Sequence, residues 1–262
     1  MGVKTHISLA ELKKMFPSFS INSIKATKDG IIDTTYILNN FILKKYERDI
    51  KEKINRDTLL LKELQEHSLN VPSLKGQNGD WYLYKKLAGT TPKNIKLFHI
   101  QALARFIAKM HQVTQNIQTD ENFLDNYPID SLLTDIKKNF YFYYKKMHSL
   151  KNYSMANNGF IHGDLFTDNT LFCGKDIAVF DFIDGANGSF TFDIAVALFS
   201  FNPSKRRLYT NIFLNTYNQI APHKISLKVL DMEQKNAAIF YGLLCLQRDK
   251  STKKVKLLAK FW

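Results

Sequence analysis

The chain is short of the residues that staple, tether or anchor a protein. Its only cysteines, Cys173 and Cys245, have no neighbouring Cys or His at zinc-ligand spacing, which excludes a disulfide framework and leaves buried thiols as the expectation. Proline and glycine number 6 and 11 in 262 residues, and neither gathers into a low-complexity tether; no internal repeat appears. No run of eighteen apolar residues occurs, so no spanning helix is expected. Met1 to Leu9 carries a lysine and a histidine in place of a secretory apolar core, and the reading is a cytoplasmic chain without a membrane partner. Acidic residues are the minority, 24 against 37 lysines and arginines, giving a net charge of +13. Clustered lysines would favour a phosphate backbone through counterion release, but these are scattered. The densest stretches, Lys44 to Lys53 and Lys250 to Lys260, read as solvated faces, so no nucleic-acid partner is expected.

What is present is a hydrophobic fraction of 45%, enough for one large core or two modest ones. Ser8 followed by Glu11 forms a capping box, predicting a short helix through Leu9, Leu12 and Phe16 that stops at Pro17 and packs on a sheet. Alternating runs at Ile21 to Thr27, Ile32 to Leu38 and Phe41 to Tyr46, with Asn39-Asn40 as a tight turn, predict an antiparallel sheet, and Trp81 to Leu87 adds another strand to what reads as a five-strand pattern. Ile54, Leu61 and Leu64 insert one helix into it. After Gly89 the periodicity becomes helical, with one helix through Leu103 to Met110, a single helix through Leu133, Ile136, Phe140 and Met147, and further helical spacing from Leu198 to Tyr217. Phe160 to Phe182 interrupts these helices with two brief apolar runs around a Gly174-Lys175-Asp176 turn. The fold expected is α+β and bilobal: an antiparallel β-sheet N-lobe over residues 1–88 and a mainly helical C-lobe over 89–262, hinged near Ala88 and Gly89. Ligands favour clefts at such boundaries.

The chemistry concentrates in Ile161-His162-Gly163-Asp164-Leu165-Phe166-Thr167-Asp168-Asn169 and Val179-Phe180-Asp181-Phe182. A carboxylate that takes a proton from an attacking hydroxyl must sit beside the metal site, and an Asn five residues later can place its amide oxygen there, which assigns Asp164 and Asn169. Mg²⁺ needs further oxygen ligands, and Asp181 follows the turn at a distance that lets it return to the same place. This order, His-x-Asp, then Asn, then Asp-Phe, is the catalytic and metal-binding set of the kinase superfamily. Phe41-Ile42-Leu43-Lys44 resembles the strand that presents the phosphate-binding lysine, and Asp57 on the following helix is the expected acid partner, with Glu52 and Glu63 competing. No Gly-x-Gly-x-x-Gly loop precedes Lys44; Gly30 with the hydroxyls of Thr34 and Thr35 is the candidate phosphate cover.

With these segments in view, the chain resembles the aminoglycoside phosphotransferase and choline kinase superfamily, whose fold is protein-kinase-like, and within it type II homoserine kinase. Gly30 to Tyr36 is similar to that family's Gly-Val-Glu-Asn-Thr-Asn-Tyr loop, and Phe192-Asp193-Ile194-Ala195-Val196-Ala197-Leu198 to its Tyr-Asp-Leu-Ala-Val segment. Asp33 and Thr35 depart from the pattern, each standing where the family has Asn. The resemblance implies ATP and Mg²⁺ as cofactors, adenine against backbone groups of Lys86, Leu87 and Ala88, and a small-molecule hydroxyl acceptor against the helical lobe. It also implies that Asp193 orients the catalytic backbone and His162; the plainer reading of Asp193 is a helix N-cap. Homoserine is the acceptor it suggests, with choline, sugars and aminoglycosides as alternatives and an inactive nucleotide-binding module as the rival from another class. Protein substrates fit poorly: little chain separates Asp181 from Asp193, no Ala-Pro-Glu follows, and Gly163 replaces the arginine that would pair with a loop phosphate. His111, near the end of an amphipathic helix, reads as a packed or capping residue.

Overall fold

The computed structural model describes residues 3–27, 32–250 and 252–262, and the chain divides into two compact units: Met1–Gly89 with Ala178–Ile183, and Thr90–Ile177 with Asp184–Trp262. The first unit is built on an antiparallel sheet in the order β1-β2-β3-β5-β4, from β1 (Ile24–Ala26), β2 (Thr34–Leu38), β3 (Phe41–Lys45), β4 (Leu74–Asn78) and β5 (Trp81–Lys85). The Asn39-Asn40 turn joins β2 to β3, with Ile37 opposite Ile42. Helix α1 (Leu9–Met15) starts where its capping box places it: Ser8 Oγ accepts from the Glu11 amide at 3.2 Å and the Glu11 carboxylate accepts from the Ser8 amide at 2.8 Å. Its Leu12, with Phe16 beyond its end, joins Ile21, Tyr36, Leu38, Leu43 and Leu83 in one buried cluster, so the capping signal and the alternation in the strands meet in a single core. Helix α2 (Lys51–Glu66) buries Ile54, Leu60, Leu61 and Leu64.

The second unit is mostly helical: α3 (Leu97–Thr114), α4 (Ile129–Asn139), α5 (Tyr141–Met147), α6 (Phe190–Phe199), α7 (Arg206–Tyr217), α8 (Leu227–Asp249) and α9 (Thr252–Leu258). Helix α6 is buried on every side from Phe190 to Leu198, as its nearly continuous apolar sequence requires. The single helix expected over Leu133 to Met147 is instead two. Phe140 takes φ −142° and ψ 50°; its amide closes α4 on the Ile136 carbonyl at 2.7 Å, and its carbonyl opens α5 by accepting from Tyr143 at 2.9 Å. The run Phe140-Tyr141-Phe142-Tyr143-Tyr144 explains the break, because aromatic side chains lose rotamer freedom against the preceding helical turn.

Strand β6 (Gly159–Ile161) pairs with β9 (Ala186–Gly188), a strand too short to show in the sequence pattern, and β7 (Thr170–Cys173) pairs with β8 (Asp176–Val179) around the expected turn. The thiols correct an expectation. Cys173 is exposed because it ends β7 at the turn, and Cys245 is half-buried. Among the described residues no helix is long and apolar enough to cross a membrane.

Candidate active site

In the second unit, everything around Asp164 follows from how β6 ends. The strand delivers the chain to His162 and Gly163, whose amides both point at Asp193 on the first turn of α6: His162 N donates to Oδ2 at 2.9 Å and Gly163 N to Oδ1 at 2.6 Å. Asp193 is fully buried, and burying a carboxylate is costly unless its lone pairs are matched. His111, from α3, supplies another donor. Its Nε2 lies 3.2 Å from Asp193 Oδ2, its Nδ1 lies 2.8 Å from the Tyr217 hydroxyl, and its ring stacks on Phe190 at 3.9 Å. Burial lowers the His111 pKa against the opposing pull of Asp193, so the ring is neutral near pH 7. A neutral ring facing a carboxylate carries its proton on Nε2, and Nδ1 then accepts from the Tyr217 hydroxyl. The N-cap of α6 is Ser189, which accepts from the Phe192 amide, so the plainer reading of Asp193 as the cap is corrected.

Gly163 is required where it stands. Its φ is +78°, and a Cβ at this position would overlap the ring of Phe123. The next residue, Asp164, is exposed, and its amide donates to His162 Nδ1 at 3.2 Å. The short turn Thr167–Asn169 brings the Asn169 side chain back: Nδ2 donates to the Asp164 carbonyl at 2.8 Å and to Oδ2 at 3.0 Å. With its nitrogen facing Asp164, the amide presents its oxygen in another direction, as an oxygen ligand for a hard cation must. A residue with no local signal completes the group. The Tyr241 hydroxyl, from α8, donates to the Gly163 carbonyl and lies 3.3 Å from Asp164 Oδ1. Burial, then the charge of Asp164, raises its pKa well above the ordinary phenol range.

In the first unit, Lys44 on β3 forms an ion pair with Asp181, 2.7 Å from Nζ to Oδ1, with side chains 17% and 43% exposed. Burial opposes the ammonium charge, but the charge and hydrogen bond of Asp181, with smaller help from Asp33 and Tyr84, outweigh it and raise the Lys44 pKa. Asp181 adopts φ +72°, a left-handed conformation uncommon for a non-glycine residue and concentrated at functional sites. Its segment is held in this unit by the Val179 amide on the Asn70 carbonyl (3.1 Å) and by Arg56 on the Ile183 carbonyl (3.0 Å). The ion pair of Lys44 is thus with Asp181, whereas Asp57 is buried on α2, where its charge adds to burial in raising the phenols of Tyr46 and Tyr84.

The other first-unit candidates divide. Thr34 is buried, and its hydroxyl donates to Glu47 at 2.6 Å while accepting from the Lys4 and Thr5 amides at 2.9 and 3.0 Å, so it knits the unit together. The same Thr34 bond, outweighing burial, lowers the Glu47 pKa. Thr35 takes the opposite face of β2, and its carbonyl accepts from the amide and hydroxyl of Thr27. Gly30 lies outside the described residues. The Lys86 amide donates to the Asn40 carbonyl at 3.0 Å; Lys86 and Ala88 are exposed and Leu87 is half-buried. Asp33 accepts from the Glu47 amide at 3.1 Å and pairs with Arg48 at 3.3 Å.

Among the described residues no group of three or more His, Cys, Asp or Glu side chains is placed to hold a metal. An Asn oxygen with one carboxylate nevertheless suits Mg²⁺, which keeps waters and substrate phosphates as most of its ligands.

The model of the phosphotransferase enzyme family matches residues 144–226 of this chain. Among curated proteins, a homoserine kinase of Bradyrhizobium diazoefficiens is 25% identical, covering 84% of this chain and 78% of its own, and a homoserine kinase of Bradyrhizobium sp. is 23% identical, covering 93% and 86%. Among solved structures, an amicoumacin kinase in complex with AMP-PNP, Ca²⁺ and Ami superposes with a TM-score of 0.72 at 18% identity, over 98% of this chain and 92% of that one. A GDP complex of an aminoglycoside 2'-phosphotransferase gives 0.71 at 16% identity, over 96% and 95%. The fold is therefore the α+β, kinase-like one, and the resemblance to the aminoglycoside phosphotransferase superfamily, with homoserine kinases as curated relatives, holds.

Proposed function

We propose, from the similarity of this chain to the phosphotransferase enzyme family and to homoserine kinases, that it is a small-molecule kinase that moves the γ-phosphoryl group of ATP to a hydroxyl of a small, homoserine-like acceptor. The observation that carries the reading is the setting of Asp164, an exposed carboxylate with a fixed neighbourhood. Its backbone is tied to buried Asp193 through His162 and Gly163, and its Oδ2 is held by Asn169. A general base needs that combination of access and direction.

In this reading Asp164 accepts the proton of the acceptor hydroxyl as the oxygen attacks the γ-phosphorus and the bond to the bridging oxygen breaks to release ADP, with no covalent enzyme intermediate. Asn169 and Asp181 are the residues that would hold Mg²⁺, and Lys44 would exchange its bond to Asp181 for a share in the phosphate charge. The chemistry a bound magnesium would supply is neutralisation of phosphate charge. Backbone groups of Lys86 to Ala88 take the adenine, and Thr35 with Gly30 covers phosphate; His162 and Asp193 serve the loop and not the substrate. The amino-acid acceptor comes from the names of the curated relatives. The decisive measurement is magnesium-dependent ATP consumption across homoserine, choline, sugars and aminoglycosides: homoserine should be turned over with the highest kcat/KM. Preference for another alcohol would keep the reaction and change the acceptor, and no turnover on any would favour a nucleotide-binding module.

A further inference from the structure

An exposed carboxylate on a loop rotates freely about its side-chain torsions unless both oxygens are engaged. For Asp164, Asn169 addresses Oδ2, and Oδ1 is addressed from 77 residues away by the Tyr241 hydroxyl at 3.3 Å. This phenol is itself well fixed. Its ring meets Phe166 edge-on at 5.0 Å, Phe240 edge-on at 5.3 Å and Phe192 in parallel at 6.3 Å. Tyr241 therefore has little freedom to follow Asp164.

Resting on the kinase reading above, we propose that Tyr241 is a positioning residue for phosphoryl transfer, its single hydroxyl proton shared between the Gly163 carbonyl and Asp164 Oδ1 so that the carboxylate keeps one direction. The two acceptors sit on adjacent residues, so one donor fixes both the backbone before the carboxylate and the carboxylate itself. Burial and the negative charge of Asp164 keep the phenol protonated, so it remains a donor at any working pH.

Two measurements on the full chain test this. With tyrosine labelled at Cζ, the Tyr241 carbon resonance is identified by its disappearance in Tyr241→Phe, and it should move in Asp164→Asn; an unmoved signal overturns the contact without reference to activity. In turnover, Tyr241→Phe keeps the ring and should lower kcat about 10- to 100-fold, the worth of one hydrogen bond to a charged group, with both KM values held within about twofold. A merely structural role would instead shift the unfolding midpoint or KM and spare kcat, and that result overturns the proposal. A parent chain that turns over while kcat of Tyr241→Phe is unchanged overturns the role of Tyr241 alone; a parent chain with no turnover overturns the kinase reading and the role with it.

Discussion

The two units hold their acids in opposite ways. Asp193 is fully buried, and each of its oxygens accepts directed hydrogen bonds from groups that cannot move without dismantling α3, α6 or the end of β6. Asp181 is partly exposed and faces the flexible ammonium of Lys44, a point charge with three rotatable donors. The first arrangement fixes direction and the second stores exchangeable charge. The contrast teaches what the proposed reaction would ask of each place: a fixed direction where a proton would leave, and exchangeable charge where phosphate would be met.

That contrast can be broken by measurement. Asp164→Asn should lower kcat by about 10² to 10⁴ while ATP still binds, because the change removes the base and not its frame; unchanged turnover in steady-state kinetics would take Asp164 out of its role. Asp193→Ala should cost about 3 kcal/mol in urea unfolding, since it leaves two buried amides and an imidazole without their acceptor. The third prediction concerns acid. Burial, opposed by Asp193, lowers the His111 pKa in the folded state, so above an unfolded pKa of about 6.5 neither state binds the proton and the contribution is fully present. Below that pH the unfolded chain takes up a proton that the folded chain refuses, and stability should fall by up to about 1.4 kcal/mol per pH unit until the folded pKa is reached. Comparing the pH slopes of the parent and His111→Gln isolates this residue from His99, which is also lowered by burial, with Lys96 adding to the effect. A smaller stability effect than that of Asp193→Ala belongs to Asp181→Ala, because only the lysine of this ion pair is largely buried. Its activity should nevertheless fall and recover in part with excess magnesium, and a normal magnesium dependence would remove Asp181 from the metal.

Much of the fold was legible because its signals are local. The capping box at Ser8 and Glu11, the alternation in β2 and β3, and the helical spacing of α2 and α3 each lie within a few residues. The break at Phe140 was hidden because Leu133, Ile136 and Phe140 continue the helical period while the crowded aromatics that end it are a matter of rotamers. In the candidate site, the Asp164–Asn169 contact spans five residues and could be read from spacing. The contact of Tyr241 with Asp164 and that of His111 with Asp193 span 77 and 82 residues and carry no pattern of their own. The acid that pairs with Lys44 was sought on the next helix, at Asp57, although the ion pair is made by Asp181, 137 residues away. Local rules find the loop; only the tertiary structure finds what holds it.

Gly163 carries a consequence for how such a protein can change over time. Its left-handed backbone and the ring of Phe123 against its α-carbon close this slot to any side chain. An arginine here, the residue through which a phosphorylated loop could switch the neighbouring aspartate on, would have to displace that ring and refold the strand end at once. A single substitution at this position is therefore a closed route to phosphorylation control of this kind.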